Sequence, residues 1–227
     1  MADQFAGRWA MDKSLCSDLE GILKLQGLSW PLRKMICLAG VRIEMITKSN
    51  LDPAQTVITV NVTPTGTGGM AASTETRKMD WSAFEKNDFL FGLCQERSEF
   101  LHGSKDDQGR EYPNVNMQTE VGDLRAGRFL RGEINEHGSE TEWDVSPHVV
   151  GDEKETEQEP KQNIWVHTFV RNLNGGNGWT AEQIWGFEVI AGERYHTRRV
   201  LVANKKGQYV LARLVYKYIA DGTGSKR

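Results

Sequence analysis

The chain lacks any hydrophobic run near the roughly 18 residues that a membrane span requires, so no span is expected. Its opening, MADQFAGRW, has neither the basic stretch nor the apolar core of a secretory signal. Cysteine is scarce: Cys16, Cys37 and Cys94 are odd in number and far apart. That excludes a disulfide framework and points to reduced thiols in a cytoplasmic protein, with Cys37 and Cys94 in apolar surroundings that suit buried packing. Proline is limited to 6 of 227 residues, and no sign of charge dominates, with 28 Lys and Arg against 31 Asp and Glu. The net charge of −3 and the scatter of the basic residues give no reason to expect a nucleic-acid partner.

Motifs for covalent or cofactor chemistry are also missing. His102, His137, His148, His167 and His196 show no metal-ligand spacing, and no cysteine pair is two residues apart, so no metal is expected. There is no G-x-S-x-G nucleophile elbow. No phosphate-binding glycine loop opens a helix, because the Gly66–Gly69 turn precedes β-patterned sequence. The chain is therefore expected to work without a cofactor.

What is present is β-patterned sequence behind a short helical stretch. Gln4 to Met11 predicts a first strand containing Gly7-Arg8-Trp9. Helical spacing follows through Leu15, Leu19, Ile22, Leu23 and Leu25, with Asp12 or Ser14 as the cap and Gly27 as the stop. Ser29 and Pro31 open a second short helix carrying Leu32, Met35, Ile36 and Leu38. From Val41 the period shifts to two, and Thr56–Thr63 is β-branched almost throughout. Further strands are expected near 72–79, 97–102, 114–120, 128–135, 164–172, 179–190, 194–203 and 208–219. Residues 103–112 and 151–161 read as surface loops, the second strongly acidic, and Asn172–Gly178 as a long hairpin turn.

The expected architecture is all-β: one antiparallel barrel of about ten strands over residues 1–227, with a helix-turn-helix lid over about 14–40. The G-x-W strand, the lid and the closing run Ala212-Arg213-Leu214-Val215-Tyr216-Lys217 resemble the calycin group, within it the intracellular fatty-acid-binding proteins. Those close on an R-x-Y element that holds a carboxylate inside the barrel. Here Tyr216 follows Arg213 by three positions, which puts the two side chains on opposite faces of a strand. In length, lid and loops the chain is similar to fungal lipocalin-like hetero-Diels–Alderases, which join a tropolone quinone methide to a humulene-type terpene.

That second resemblance implies a cofactor-independent pericyclase acting on an apolar small molecule. The candidate catalytic residues are Arg213, Tyr216, His167 and Arg199, and the candidate substrate-binding residues are Trp30, Met35, Trp165, Trp185, Phe187 and Tyr218. Trp165, His167 and Phe169 alternate along one face, as do Trp185 and Phe187 on the next strand, while Arg199 and Arg213 lie on the two strands of the last hairpin. Leu28, Trp30 and Met35 suit a portal under the lid. Each of these residues also has a plain packing reading. The alternatives left open are a non-catalytic carrier of a fatty acid or similar molecule, a cyclase of another terpenoid or polyketide, and an interaction module using the acidic loop. A homodimer is compatible with the sequence.

Overall fold

The computed structural model describes residues 2–49, 52–65, 71–145, 163–174 and 178–219. The β-branched runs form β1 (Gly7–Met11), β2 (Gly40–Lys48), β3 (Val57–Thr65), β4 (Ser73–Lys78), β5 (Phe84–Asp88) and β6 (Gly92–Lys105). After the three-residue β7 (Glu111–Pro113) come β8 (Ile164–Asn172), β9 (Thr180–Ile190), β10 (Glu193–Ala203) and β11 (Tyr209–Ile219). The helices are α1 (Leu19–Leu25), α2 (Trp30–Leu38) and α3 (Leu124–Arg131). Among the described residues none is long and apolar enough to cross a membrane.

All the strands belong to one sheet, in the order β4-β3-β2-β1-β11-β10-β9-β8-β6-β5, with β7 hydrogen-bonded to β6. Every neighbouring pair is antiparallel, as the alternation of apolar and polar residues anticipates. Trp9, Ile43, Met45 and Val60 on one side of the path share a buried cluster with Val166, Trp185 and Phe187 on the other. Residues so distant along the sheet meet only because it curls on itself. This is the all-β, calycin-type barrel expected from the sequence, open along one seam between β4 and β5.

Both barrel ends are covered. A single helical turn, Ala2–Phe5, stacks Phe5 on Phe187 at a centroid distance of 5.3 Å. At the other end α1 buries Ile22 among Ala181, Val200, Val202 and Ala212. The helical lid is as expected, but it begins later than the sequence suggests. Cys16 and Ser17 first pair with the β11 backbone, Ser17 N–H donating to the Arg213 carbonyl at 2.9 Å. Asp18 then caps the helix by accepting from Gly21 N–H at 3.0 Å.

Two expected strands, 114–120 and 128–135, are absent: 114–123 runs without regular structure and 124–131 is α3. Asp123 accepts from Arg125 N–H, Ala126, Phe129 and Leu130 repeat at helical spacing, and Gly132 takes φ 83° to end the helix. β5 and β7 were not anticipated, and Gly103–Lys105 extends β6 rather than opening a loop. The acidic 151–161 segment and the middle of the Asn172–Gly178 turn lie outside the described residues.

The segment around α3 forms a second layer on the outside of the barrel. Phe129, Leu130, Ile134 and Trp143 pack against Trp165, Ile184 and Leu201. A Cβ on Gly186 would meet the Trp143 ring at 2.8 Å, so glycine is what lets that indole lie on the sheet. Two buried charge clusters pin this layer. The Arg199 guanidinium donates to Glu188 at 3.1 Å, to the carbonyls of Phe129 and Ile134 at 3.0 and 2.5 Å, and to Thr141 Oγ1 at 2.9 Å. Its charge thus lies at the C-terminal end of α3, where the helix dipole favours a cation. His167 bridges Glu99 at 3.0 Å and Glu182 at 2.8 Å, and Glu182 also accepts from the backbone N–H of Gln118 and Thr119.

Because all three guanidinium nitrogens of Arg199 are hydrogen-bonded and both Arg199 and Glu188 are buried, Arg199→Met should lose about 3–5 kcal/mol of unfolding free energy in urea titrations. A loss under about 1 kcal/mol would contradict the pinning role. The second cluster carries a pH signature. Burial works against the His167 charge, but Glu182 and Glu99 outweigh it and raise the pKa above the ordinary 6.5. Stability from this imidazolium is therefore complete below about pH 6.5 and fades as pH climbs through the higher folded value. The stability gap between the wild type and His167→Gln should shrink on going from pH 6 to pH 9. A gap that widens over that range would refute the assignment.

Candidate functional site inside the barrel

The inner wall carries alternate residues of each strand, and register decides which. Cross-strand pairing aligns Val166 with Trp185, Trp185 with Arg198, Arg198 with Leu214, and His196 with Tyr216. Directly opposed residues share a face, so Trp185, Arg198, His196, Leu214 and Tyr216 all point into the barrel. Met11, Val41, Val62, Gln183 and Leu214 also face inward yet remain only partly buried. On the inside of a curled sheet, partial exposure means open space beside the side chain.

Arg198 lies in the middle of this inward-facing set. Its guanidinium carbon is 3.8 Å from the Trp185 ring centroid and 5.3 Å from that of Tyr216, a cation held between two aromatic faces. Nε donates to His196 Nε2 at 3.3 Å, and Nη2 lies 3.9 Å from Met45 Sδ. His196 Nδ1 donates in turn to the Gly186 carbonyl at 3.1 Å, which leaves Nε2 bare and fixes the tautomer. Burial, assisted by the Arg198 charge, drives the His196 pKa well below 6.5, so the ring is a neutral acceptor. Burial also pulls Arg198 below its ordinary value, Tyr216 and Glu75 oppose that, and a guanidinium still remains charged near neutrality.

Tyr216 is buried, and burial pushes its phenol above the usual value against the pull of Arg198, so it stays a neutral O–H donor. No described residue accepts from Arg198 Nη1 or partners the Tyr216 hydroxyl. Two donors, one charged and one neutral, therefore belong to the same inward-facing, buried set as Trp185, in surroundings where hydrogen bonds are strengthened by exclusion of water. Trp185 is held by its own Nε1–H, which donates to Gln183 Oε1 at 3.1 Å. A second guanidinium, Arg77 of β4, approaches the Trp185 ring to 5.6 Å. Such a set can grip a polar oxygen on an otherwise apolar, conjugated molecule lying on the indole. No group of three or more metal-ligating side chains is found among the described residues.

The sequence candidates divide by face. Tyr216, Trp185 and Phe187 point inward, Phe187 being stacked at the end plugged by Phe5. Tyr218 also belongs to the inner row but is half-exposed at the rim, edge-on to Trp9 at 5.1 Å. Arg199, Arg213, His167 and Trp165 are on the outer face, so the structure does not bring them together with Tyr216. Arg199 and Arg213 are cross-strand partners, as the hairpin implies, and both bind Glu188 beneath the outer layer. Trp30 and Met35 lie on α2, where Trp30 is 62% exposed. Sequence reasoning missed Arg198, His196, Arg77 and Gln183. The signal was the turn Ile190-Ala191-Gly192-Glu193, which sets the register that places Arg198 opposite Trp185 and Arg199 behind it.

No protein-family model matches the chain. It is 26% identical over 219 residues to the probable pericyclase scpY of Mollisia scopiformis, covering 96% of this chain and 92% of that protein. It is 24% identical over 217 residues to the pericyclase pydY of an Acremonium species, covering 95% and 92%. Among solved structures it is similar to the fluorescent protein UnaG, at 11% identity and a TM-score of 0.49, covering 96% of this chain and all of that one. A REP1-NXSQ fatty acid transporter gives 11% identity and a TM-score of 0.45, over 96% and 98% of the two chains. The likeness to fungal pericyclases on one side and to fatty-acid-binding barrels on the other is the pair of resemblances drawn from the sequence.

Proposed function

We propose that this chain is a cofactor-independent pericyclase of fungal secondary metabolism that works in the cytoplasm and binds its substrates inside the barrel. The observation that carries the reading is Arg198, a charged donor held over the Trp185 ring with Nη1 bonded to no described residue, in a chain similar over most of its length to two proteins named as pericyclases. The reaction is an intermolecular hetero-Diels–Alder cycloaddition of a tropolone quinone methide with a humulene-type sesquiterpene. Two σ bonds form in such a step and nothing leaves, so little covalent work falls to the protein. Holding both partners together removes the entropy of their encounter, worth up to about 7–11 kcal/mol in ideal cases.

The quinone methide carbonyl gains negative charge as the new bonds form. Arg198 Nη1 and the Tyr216 hydroxyl donate to that oxygen more strongly in the transition state than in the ground state, which lowers the barrier. His196 acts through Arg198 by fixing its tilt. Trp185 supplies the flat wall that selects the reacting faces, and α1 excludes water above. Arg199, Arg213 and His167 hold the outer layer rather than the substrate. The carrier alternative uses the same chamber without turnover.

The test is incubation of the purified protein with humulene and a hydroxymethyl-tropolone, which yields the quinone methide by losing one water before the cycloaddition, following rate and product ratio against buffer. Acceleration with a single dominant stereoisomer is expected, and Arg198→Met should reduce the rate by about 10²-fold while Arg213→Met, which reaches the opposite face, changes it less than about 3-fold. A product ratio and rate equal to buffer would remove the enzyme reading and leave the carrier. Co-purification of a long-chain acid with an inactive protein would favour that carrier directly.

A further inference from the structure

The open seam between β4 and β5 holds a feature that the reaction above does not use. A cleft of about 290 Å³ lies there, lined by Thr76 and Arg77 of β4, Phe84 and Lys86 of β5, and Glu96 and Ser98 of β6 among others. It opens on the side of the barrel, and no described residue of the helices lines it. Arg77 spans the seam: Nη2 donates to Glu75 at 2.7 Å, and Nη1 lies 3.6 Å from Glu96, an ion pair too long for a hydrogen bond. Only 7% of Arg77 is exposed, yet its Nε and Nη1 atoms have no hydrogen-bond partner. The buried Thr168 hydroxyl, on the strand neighbour of Ser98, is equally without one.

Orphaned donors on a buried guanidinium are costly and are normally matched by an acceptor. The local charge is also unmatched. Arg77, Lys78, Lys86 and Arg97 line the cleft, against Glu96 and the Glu75 carboxylate that Arg77 binds. The cleft is net positive. Phe84, 54% exposed at the mouth, offers apolar contact beside it. Arg77 is also 5.6 Å from Trp185, so the seam and the central chamber share this side chain.

We propose that this lateral cleft receives the acidic end of an apolar ligand, a single delocalised oxyanion such as a carboxylate or an ionised enol, with Arg77 as the residue that grips it. A negative charge offsets the positive lining, and its two oxygens fit the end-on fork of the Arg77 guanidinium, one on Nη1 and one on the second N–H of Nη2. The apolar body then extends inward to Trp185 and Arg198. This deepens the reading above, since it rests on the barrel interior being the binding chamber.

The experiment is a fluorescence titration of the whole protein with cis-parinaric acid and, in parallel, its methyl ester. The acid should bind about 10-fold tighter than the ester. Arg77→Met should bring the acid to within about 2-fold of the ester. Glu96→Gln, which removes a competitor for Arg77, should tighten the acid several-fold and not the ester. The same comparison with a long-chain 2-acyl-cyclohexane-1,3-dione and its O-methyl ether separates an ionised enol from a carboxylate, the pair with the larger Arg77-dependent gap naming the group.

Equal affinity for acid and neutral analogue in both series would overturn the proposal, as would a gap that survives Arg77→Met. If Arg77→Met does not fold, Glu96→Gln decides, and an unchanged acid affinity there counts against the cleft. Binding of the esters without preference for the acids leaves the chamber standing and removes only the anion site. Failure of every probe to bind removes both.

Discussion

Strands β8, β9 and β10 are buried on both faces, and the rest of the molecule is arranged around that constraint. A sheet strand alternates its side chains between two sides, so double burial obliges the chain to cover an inner and an outer surface separately. The outer surface is covered by α3 and its flanking segments, and the inner by the curl of the sheet, Phe5 and α1. Neither layer is purely apolar. Each places an arginine in its centre, and adjacent residues of one strand supply both.

Arg198 and Arg199 show how one step along a strand separates two kinds of chemistry. All three guanidinium nitrogens of Arg199 are hydrogen-bonded, to an acid, to the end of a helix and to a hydroxyl. It ties the outer layer to the sheet. Arg198 is held by aromatic faces and one long hydrogen bond to a neutral histidine, which leaves donor capacity toward the space within. A fully saturated charge stabilises geometry, whereas an undersaturated one, rigidly held, is prepared for an incoming oxygen. Arg77 is undersaturated in the same sense.

Much of the fold was legible because its signals are local. The shift from helical spacing to a period of two at Val41, the β-branched Thr56–Thr63 run and the long final hairpin are properties of short windows, and each became the element expected. The 114–135 region misled because its apolar residues are spaced for a layer lying on a sheet. Asp123 and Gly132, the two ends of α3, were the local signs that a helix was there. For the site, the residues singled out from the sequence that face inward are Trp185, Phe187 and Tyr216, whereas Arg199 faces outward and its neighbour Arg198 inward.

The pattern of residues by itself determined an all-β chain with an early helical lid, no recognisable metal or cofactor motif, and cations among aromatics on its last strands. Those features depend on side-chain type and spacing within a few residues. Only the tertiary structure decided which face of each strand looks inward. A shift of one residue in register exchanges the two faces completely, and nothing within a single strand of alternating residues says which side the sheet will curl toward. That choice belongs to α3, whose packing claims the Arg199 face and leaves the Arg198 face to the interior.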